Sequence, residues 1–104
     1  MKKDFESGLI ALKKDITGHK LTPENVTNDH TIPKSKGGKS NLYNYNLMSS
    51  KMNCIRGALP LKRFIDIEAL IDYIRIMLDV KTEQIDGVDY LRGWLKNLSK
   101  ELKR

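Results

Sequence analysis

The run Asp29-His30-Thr31-Ile32-Pro33-Lys34-Ser35-Lys36-Gly37-Gly38 places a carboxylate beside an imidazole, stops at a proline and then reverses through two glycines. Val26 to Ile32 reads as a strand, with Val26, Asn28, His30 and Ile32 alternating along it, and Pro33 closes it. Gly37 and Gly38 supply the positive-φ freedom that a tight reversal needs. Asn41 to Leu47 then returns as a second, irregular strand, which makes a hairpin with a long tip. Leu47, Met48, Met52 and Ile55 recur at roughly helical spacing and Gly57 is a good stop, so a helix follows. The order is strand, Gly-rich loop, strand, helix. Two amides, Asn44 and Asn53, fall fourteen and twenty-three residues after His30, the first near the returning strand and the second on the helix.

Outward from this unit the chain reads as helical cover. Phe5, Leu9 and Leu12 lie at i, i+4 and i+7 and predict an amphipathic helix over 3–14. Gly18 ends it, and Thr22-Pro23-Glu24 makes a turn with Thr22 as N-cap and Pro23 at the first helical position. Pro60 can open a further helix. Ile67, Leu70, Ile71, Ile74 and Leu78 form an apolar stripe that predicts a helix near 66–79. Val88, Leu91, Trp94, Leu95, Leu98 and Leu102 form a second stripe, mildly interrupted by Gly93. The expected layout is one domain over 1–104, with a core at 17–57 and a helical cover at 60–102.

At 104 residues the chain can build one modest core and not two. Charged residues at 31% and hydrophobic ones at 39% are an ordinary globular mixture, which argues against disorder and membrane insertion. The Lys2-Lys3-Asp4 start lacks the apolar core of a signal peptide, so a cytoplasmic protein is expected, in the host cytoplasm if phage-encoded. Cys54 is the single cysteine, which excludes an internal disulfide and a Cys-x-x-Cys zinc ribbon. Net charge is +6, and its distribution says more than its size. Lys34, Lys36, Lys39, Lys51, Arg56, Lys62 and Arg63 lie in a segment from 30 to 65 that holds no Asp or Glu. A polyanion is the natural partner of such a segment.

Those residues in that order resemble the HNH endonuclease family and its ββα-metal fold, over about residues 17 to 65. The likeness is to the zinc-free branch, with Thr17-Gly18-His19-Lys20-Leu21-Thr22-Pro23-Glu24 leading into Asp29 to Gly38. Asn44-Tyr45-Asn46-Leu47 and Asn53-Cys54-Ile55-Arg56-Gly57 continue it in register. The resemblance implies an α+β fold in which a ββα-metal hairpin and helix are covered by one N-terminal and two C-terminal helices. It implies metal-dependent hydrolysis of DNA phosphodiester bonds. Asp29 and Asn53 would bind one divalent cation, Mg²⁺ or Mn²⁺, and His30 would be the general base. Asn44 would brace the loop and strand that hold His30. Lys34, Lys36, Lys39, Lys51 and Arg56 would meet the DNA backbone, Arg56 through a phosphate or a loop contact. Ser49 and Met52 stand where zinc-bearing relatives place cysteines, so no structural zinc is expected.

The residues support that division of labour on chemical grounds. A neutral imidazole takes a proton from water near pH 7 better than a carboxylate or an amide does. One carboxylate and one amide oxygen form the hard, oxygen-rich setting that Mg²⁺ or Mn²⁺ accepts. Neighbours on a regular strand face opposite ways, so Asp29 and His30 can serve one site only where the strand ends or distorts. Asn44 would then bond the backbone groups that the distortion leaves unpaired. Low intrinsic sequence specificity follows from backbone contacts alone, and nicking by a monomer or double-strand cutting by a homodimer both fit. Two other readings fit the same residues. One is a non-catalytic nucleic-acid-binding module. The other is an accessory or inhibitor protein of a phage or mobile-element complex, docked on a protein partner through its C-terminal helices.

Overall fold

A computed structural model of the chain describes residues 12–82 and 87–104. The helix expected over 3–14 lies outside these except for its last three positions. Those three are not helical: Lys14 forms an antiparallel bridge with Lys20, and Leu12 is buried. The turn from Lys14 to Lys20 is folded around Asp15, whose Oδ1 accepts the Thr17 and His19 amides while Oδ2 accepts the Ser49 amide at 2.9 Å. A further turn follows in which Thr22 and Asn25 exchange side-chain to backbone hydrogen bonds.

Two strands, β1 (Val26–His30) and β2 (Tyr45–Ser49), pair antiparallel with Asp29 opposite Asn46 and His30 opposite Tyr45. Both depart from the sequence expectation for one reason. Ile32 does not continue the ladder, because its N–H and C=O are taken by the side chain of Asn44. β1 therefore stops at His30, and Leu42–Asn44 winds into a 3-10 turn before β2 begins. β2 in turn runs on to Ser49, so Leu47 and Met48 are strand residues whose hydrophobicity reflects a covered sheet. The helix that follows, α1 (Ser50–Arg56), starts later than the apolar spacing suggested, with Ser49 as its N-cap and Gly57 closing it at φ 51°. Ile55, placed on its apolar stripe by spacing, is exposed, and so is Cys54.

Pro60 opens only a 3-10 turn, Leu61–Arg63. The cover is α2 (Ile67–Thr82) and α3 (Gly87–Leu102), which pack against each other. On α2 the buried face is Ala69, Tyr73 and Met77, while Ile67, Ile71 and Leu78 of the expected stripe are exposed. The rotation follows from Tyr73. Its ring stacks on Trp94 at 5.3 Å and its hydroxyl accepts the Leu47 amide at 3.1 Å, which lets a polar-tipped side chain occupy the centre of the core. On α3 Leu91, Trp94 and Leu98 are buried, and Val88 and Leu95 are not. Gly93 has a packing reason to lack a side chain: a Cβ there would lie 2.5 Å from Cδ1 of Tyr43.

The result is a small α+β fold, an antiparallel hairpin followed by three helices among the described residues. Its radius of gyration of 12.5 Å is close to the roughly 13 Å of a compact chain of about 100 residues. No helix among the described residues is long and apolar enough to cross a membrane.

Candidate active site

The end of β1 is held by one side chain from each flank. From the hairpin loop, buried Asn44 accepts the Ile32 amide through Oδ1 at 2.8 Å and donates through Nδ2 to the carbonyls of Ile32 and Lys39. The loop closes tightly on these contacts. Gly37 sits at φ 91°, whereas Gly38 is needed for close approach, since a Cβ there would lie 1.8 Å from the Ile32 carbonyl oxygen. Only the first of the two glycines therefore supplies the positive φ expected of both.

From α1, Arg56 does the rest. It is 1% exposed, so it is not a free phosphate ligand and the phosphate role expected for it is corrected to the loop contact. Each of its N–H groups faces an oxygen: Nε meets Leu59 O, Nη1 meets Asp29 Oδ2 at 2.7 Å and His30 O at 2.8 Å, and Nη2 meets Thr31 O and Glu101 Oε1 at 3.1 Å. A guanidinium has five such donors, and all are used. Glu101, also buried, further accepts the Leu61 amide and pairs with Arg104. The last turn of α3 is thereby wired to the carboxylate of Asp29.

Asp29 is 3% exposed, and its Oδ2 accepts both Arg56 and Nδ2 of Asn46. Burial pushes its carboxyl above the ordinary aspartate range, a shift only partly offset by Arg56 and Asn46. Asn46 also reaches Thr31 Oγ1, and its own Oδ1 is buried with no partner among the described residues. Asn53 is oriented by a short chain. Thr27 donates its hydroxyl proton to Met48 O, so it must accept from Nδ2 of Asn53, at 2.9 Å. That leaves Asn53 Oδ1 as an acceptor with no donor among the described residues. His30 sits edge-on to Tyr45 with ring centroids 4.9 Å apart, and its Nε2 lies 3.1 Å from Ser40 Oγ.

These pieces meet. Asp29, His30 and Asn53 line one open cavity of about 280 Å³, together with Pro33, Lys34 and Ser35 of the loop and Gly57 and Ala58 after α1. The strand ends at His30, which is how adjacent residues come to border the same space. Lys36, Lys39 and Lys51 are exposed, but none of them lines this cavity. Among the described residues no three His, Cys, Asp or Glu side chains gather in a metal-binding group. A cation here would thus rest on the Asp29 carboxylate and the Asn53 amide oxygen, completed by water, a donor set suited to Mg²⁺ or Mn²⁺. The charge balance fits as well. Arg56 is shared between two carboxylates, so Glu101, itself shared with Arg104, offsets part of the guanidinium charge that would otherwise cancel Asp29.

Sequence reasoning missed Asp15, Ser40, Asn46 and Glu101. For Glu101 a signal existed, because it continues the Leu91, Trp94, Leu98 spacing into the core-facing position of the last turn. Comparison with protein-family models, curated proteins and solved structures finds no match to this chain.

Proposed function

We propose that this protein is a metal-dependent endonuclease of the HNH kind, hydrolysing DNA phosphodiester bonds with His30 as general base. The observation that carries the reading is the shared cavity of Asp29, His30 and Asn53, built where β1 ends against α1. Ser40 holds Nε2 of His30. In the tautomer that donates its Nε2–H to that hydroxyl, the lone pair sits on Nδ1, which is then the atom that takes the proton from an attacking water. Asp29 and Asn53 would hold the divalent ion, which when bound polarises the scissile phosphate and stabilises the departing oxygen. Lys34, at the rim, supplies a phosphate contact as a compact point charge on a flexible stem.

A second reading, a nucleic-acid-binding module without catalysis, draws on the 2.7 Å pair of Asp29 with Arg56, since a carboxylate already paired can do without a cation. Incubation with supercoiled plasmid separates the two. Relaxed or linear product that requires Mg²⁺ or Mn²⁺, disappears in EDTA and is lost in a folded His30→Ala variant supports the nuclease. DNA binding with no product under either metal supports the module.

A further inference from the structure

The loop that lends Pro33, Lys34 and Ser35 to the candidate active site lends its later residues to a different and larger cleft. This one, about 390 Å³, lies between the hairpin loop and α3. Lys39 and Asn41 line it from the loop, and Lys96, Asn97 and Lys100 line it from the helix. Tyr43 lies between them. Its ring is seated in the notch left by Gly93 and its carbonyl accepts from Asn97 Nδ2 at 2.8 Å, yet 43% of the residue is exposed. Among the described residues no acidic one lines the cleft, and none of its three lysines forms an ion pair with another of them. The one carboxylate nearby in sequence, Glu101, is buried and committed to Arg56 and Arg104.

From these observations we infer that the cleft is a nucleic-acid strand-binding surface, and that α3 carries part of the substrate footprint. The inference rests on the nuclease reading for its partner and extends it to residues far from the basic segment. Three ammonium groups with no ion pair among the described residues are point charges of the kind that hold phosphates. Lys96 and Lys100 are one helical turn apart, a rise of about 6 Å, which spans one to two nucleotides of a strand. An exposed ring among those cations offers a stacking face for a base, a pairing that an acidic peptide would not need. Because one loop borders both spaces, a strand held in the cleft is led toward His30, and the Asn97 to Tyr43 bond sets the distance between them.

The test is fluorescence anisotropy of labelled single-stranded and duplex DNA, in EDTA, between 50 and 200 mM salt. The chains are wild type, Lys96→Glu/Lys100→Glu, and the charge-matched control Lys13→Glu/Lys14→Glu, whose positions line a separate cavity beside α2. All changed side chains are exposed, and circular dichroism verifies folding. Removing two phosphate contacts lowers the salt slope by about two, so the wild type loses about tenfold more affinity than the cleft variant across that range. The control keeps the wild-type slope. Equal slopes for the cleft variant and the control overturn the inference, as does binding of polyglutamate in preference to DNA. Plasmid cleavage run in parallel separates the two readings. Wild type that cleaves while the cleft variant binds undiminished sinks the cleft alone. Wild type that binds through the cleft and never cleaves supports the cleft and sinks the nuclease. Wild type with no DNA affinity sinks both.

Discussion

Replacing Arg56 by methionine removes a side chain that touches the strand end, the candidate metal carboxylate and α3 together. The methionine fills similar space but donates nothing, so the carbonyls of His30, Thr31 and Leu59 lose a donor and two buried carboxylates, Asp29 and Glu101, lose their shared counter-ion. Breaking a buried pair by deleting one partner costs about 3–5 kcal/mol. Unfolding entropy near 2.1 cal/mol/K per residue, over 104 residues, is about 0.2 kcal/mol/K, so the melting temperature should fall by about 14–23 °C. A domain of this size has only about 5–15 kcal/mol to lose, and urea titration should accompany thermal melting followed by circular dichroism. The triple variant Arg56→Met/Asp29→Asn/Glu101→Gln should recover much of the loss, because no uncompensated charge then remains buried. A single Met variant melting within about 4 °C of wild type, equivalent to under 1 kcal/mol, would refute the assignment of Arg56 as the central tie.

Asn44→Ala orphans the Ile32 amide and carbonyl and the Lys39 carbonyl; each of these left unpaired and out of reach of water costs about 1–3 kcal/mol, and metal-dependent cleavage should fall even where the fold persists at low temperature, while an intact fold with unchanged cleavage would count against the bracing role. Asp29, raised above its ordinary value of 3.8, binds its proton in the native chain at a pH where the unfolded chain does not. Metal-free wild type should therefore gain stability relative to Asp29→Asn as pH falls through the raised native value toward 3.8, and a difference in urea midpoint that stays flat with pH opposes this. Gly93→Ala sets a helix-favouring residue against the Tyr43 ring; the variant should melt lower despite the propensity gain of up to about 1 kcal/mol, and a higher melting temperature would mean that the loop does not press on α3. Ser40→Ala should reduce cleavage with little change in melting temperature, since Ser40 is exposed and its hydroxyl bonds to His30; unchanged cleavage would remove it from the site.

Local chemistry was legible in the sequence where a residue's task depended on its own chain neighbours. The Gly57 stop, the Thr22 turn, the hairpin and the two long C-terminal helices all follow from spacing, propensity and turn residues. What was not legible depended on partners far along the chain. Where β1 ends and β2 begins is set by Asn44 side-chain bonds across twelve residues, which no alternation reveals. The face of α2 is set by Tyr73, a residue whose hydroxyl looks polar until the Leu47 amide is placed beside it. Asp15 carried no sequence mark at all, because its buried carboxylate serves the Ser49 amide thirty-four residues on. Arg56 is expected from the resemblance to meet a phosphate or a loop, and its burial is explained by partners far along the chain, Asp29 and the carboxylate of Glu101 forty-five positions later.

The Arg56 arrangement also explains how so small a hairpin is kept in shape. A two-stranded ribbon has too little pairing to hold its own end rigid, and a long loop between the strands adds closure entropy. Here the end is fixed by a guanidinium donating to two successive carbonyls at the strand break, and the guanidinium is fixed in turn by α3 through Glu101. That tie makes the end of the C-terminal helix a part of the candidate site. It follows that Glu101→Gln, which keeps the acceptor for the Leu61 amide but drops the charge, should weaken Mg²⁺ or Mn²⁺ binding more than it weakens the fold. Arg56 would then be neutralised by Asp29 alone, and the carboxylate would have less charge to offer a cation. Isothermal titration of the metal into the variant, beside its thermal melt, measures both. Metal affinity equal to wild type, with the melting temperature lowered, would show that Glu101 supports the structure and leaves the charge on Asp29 unaffected.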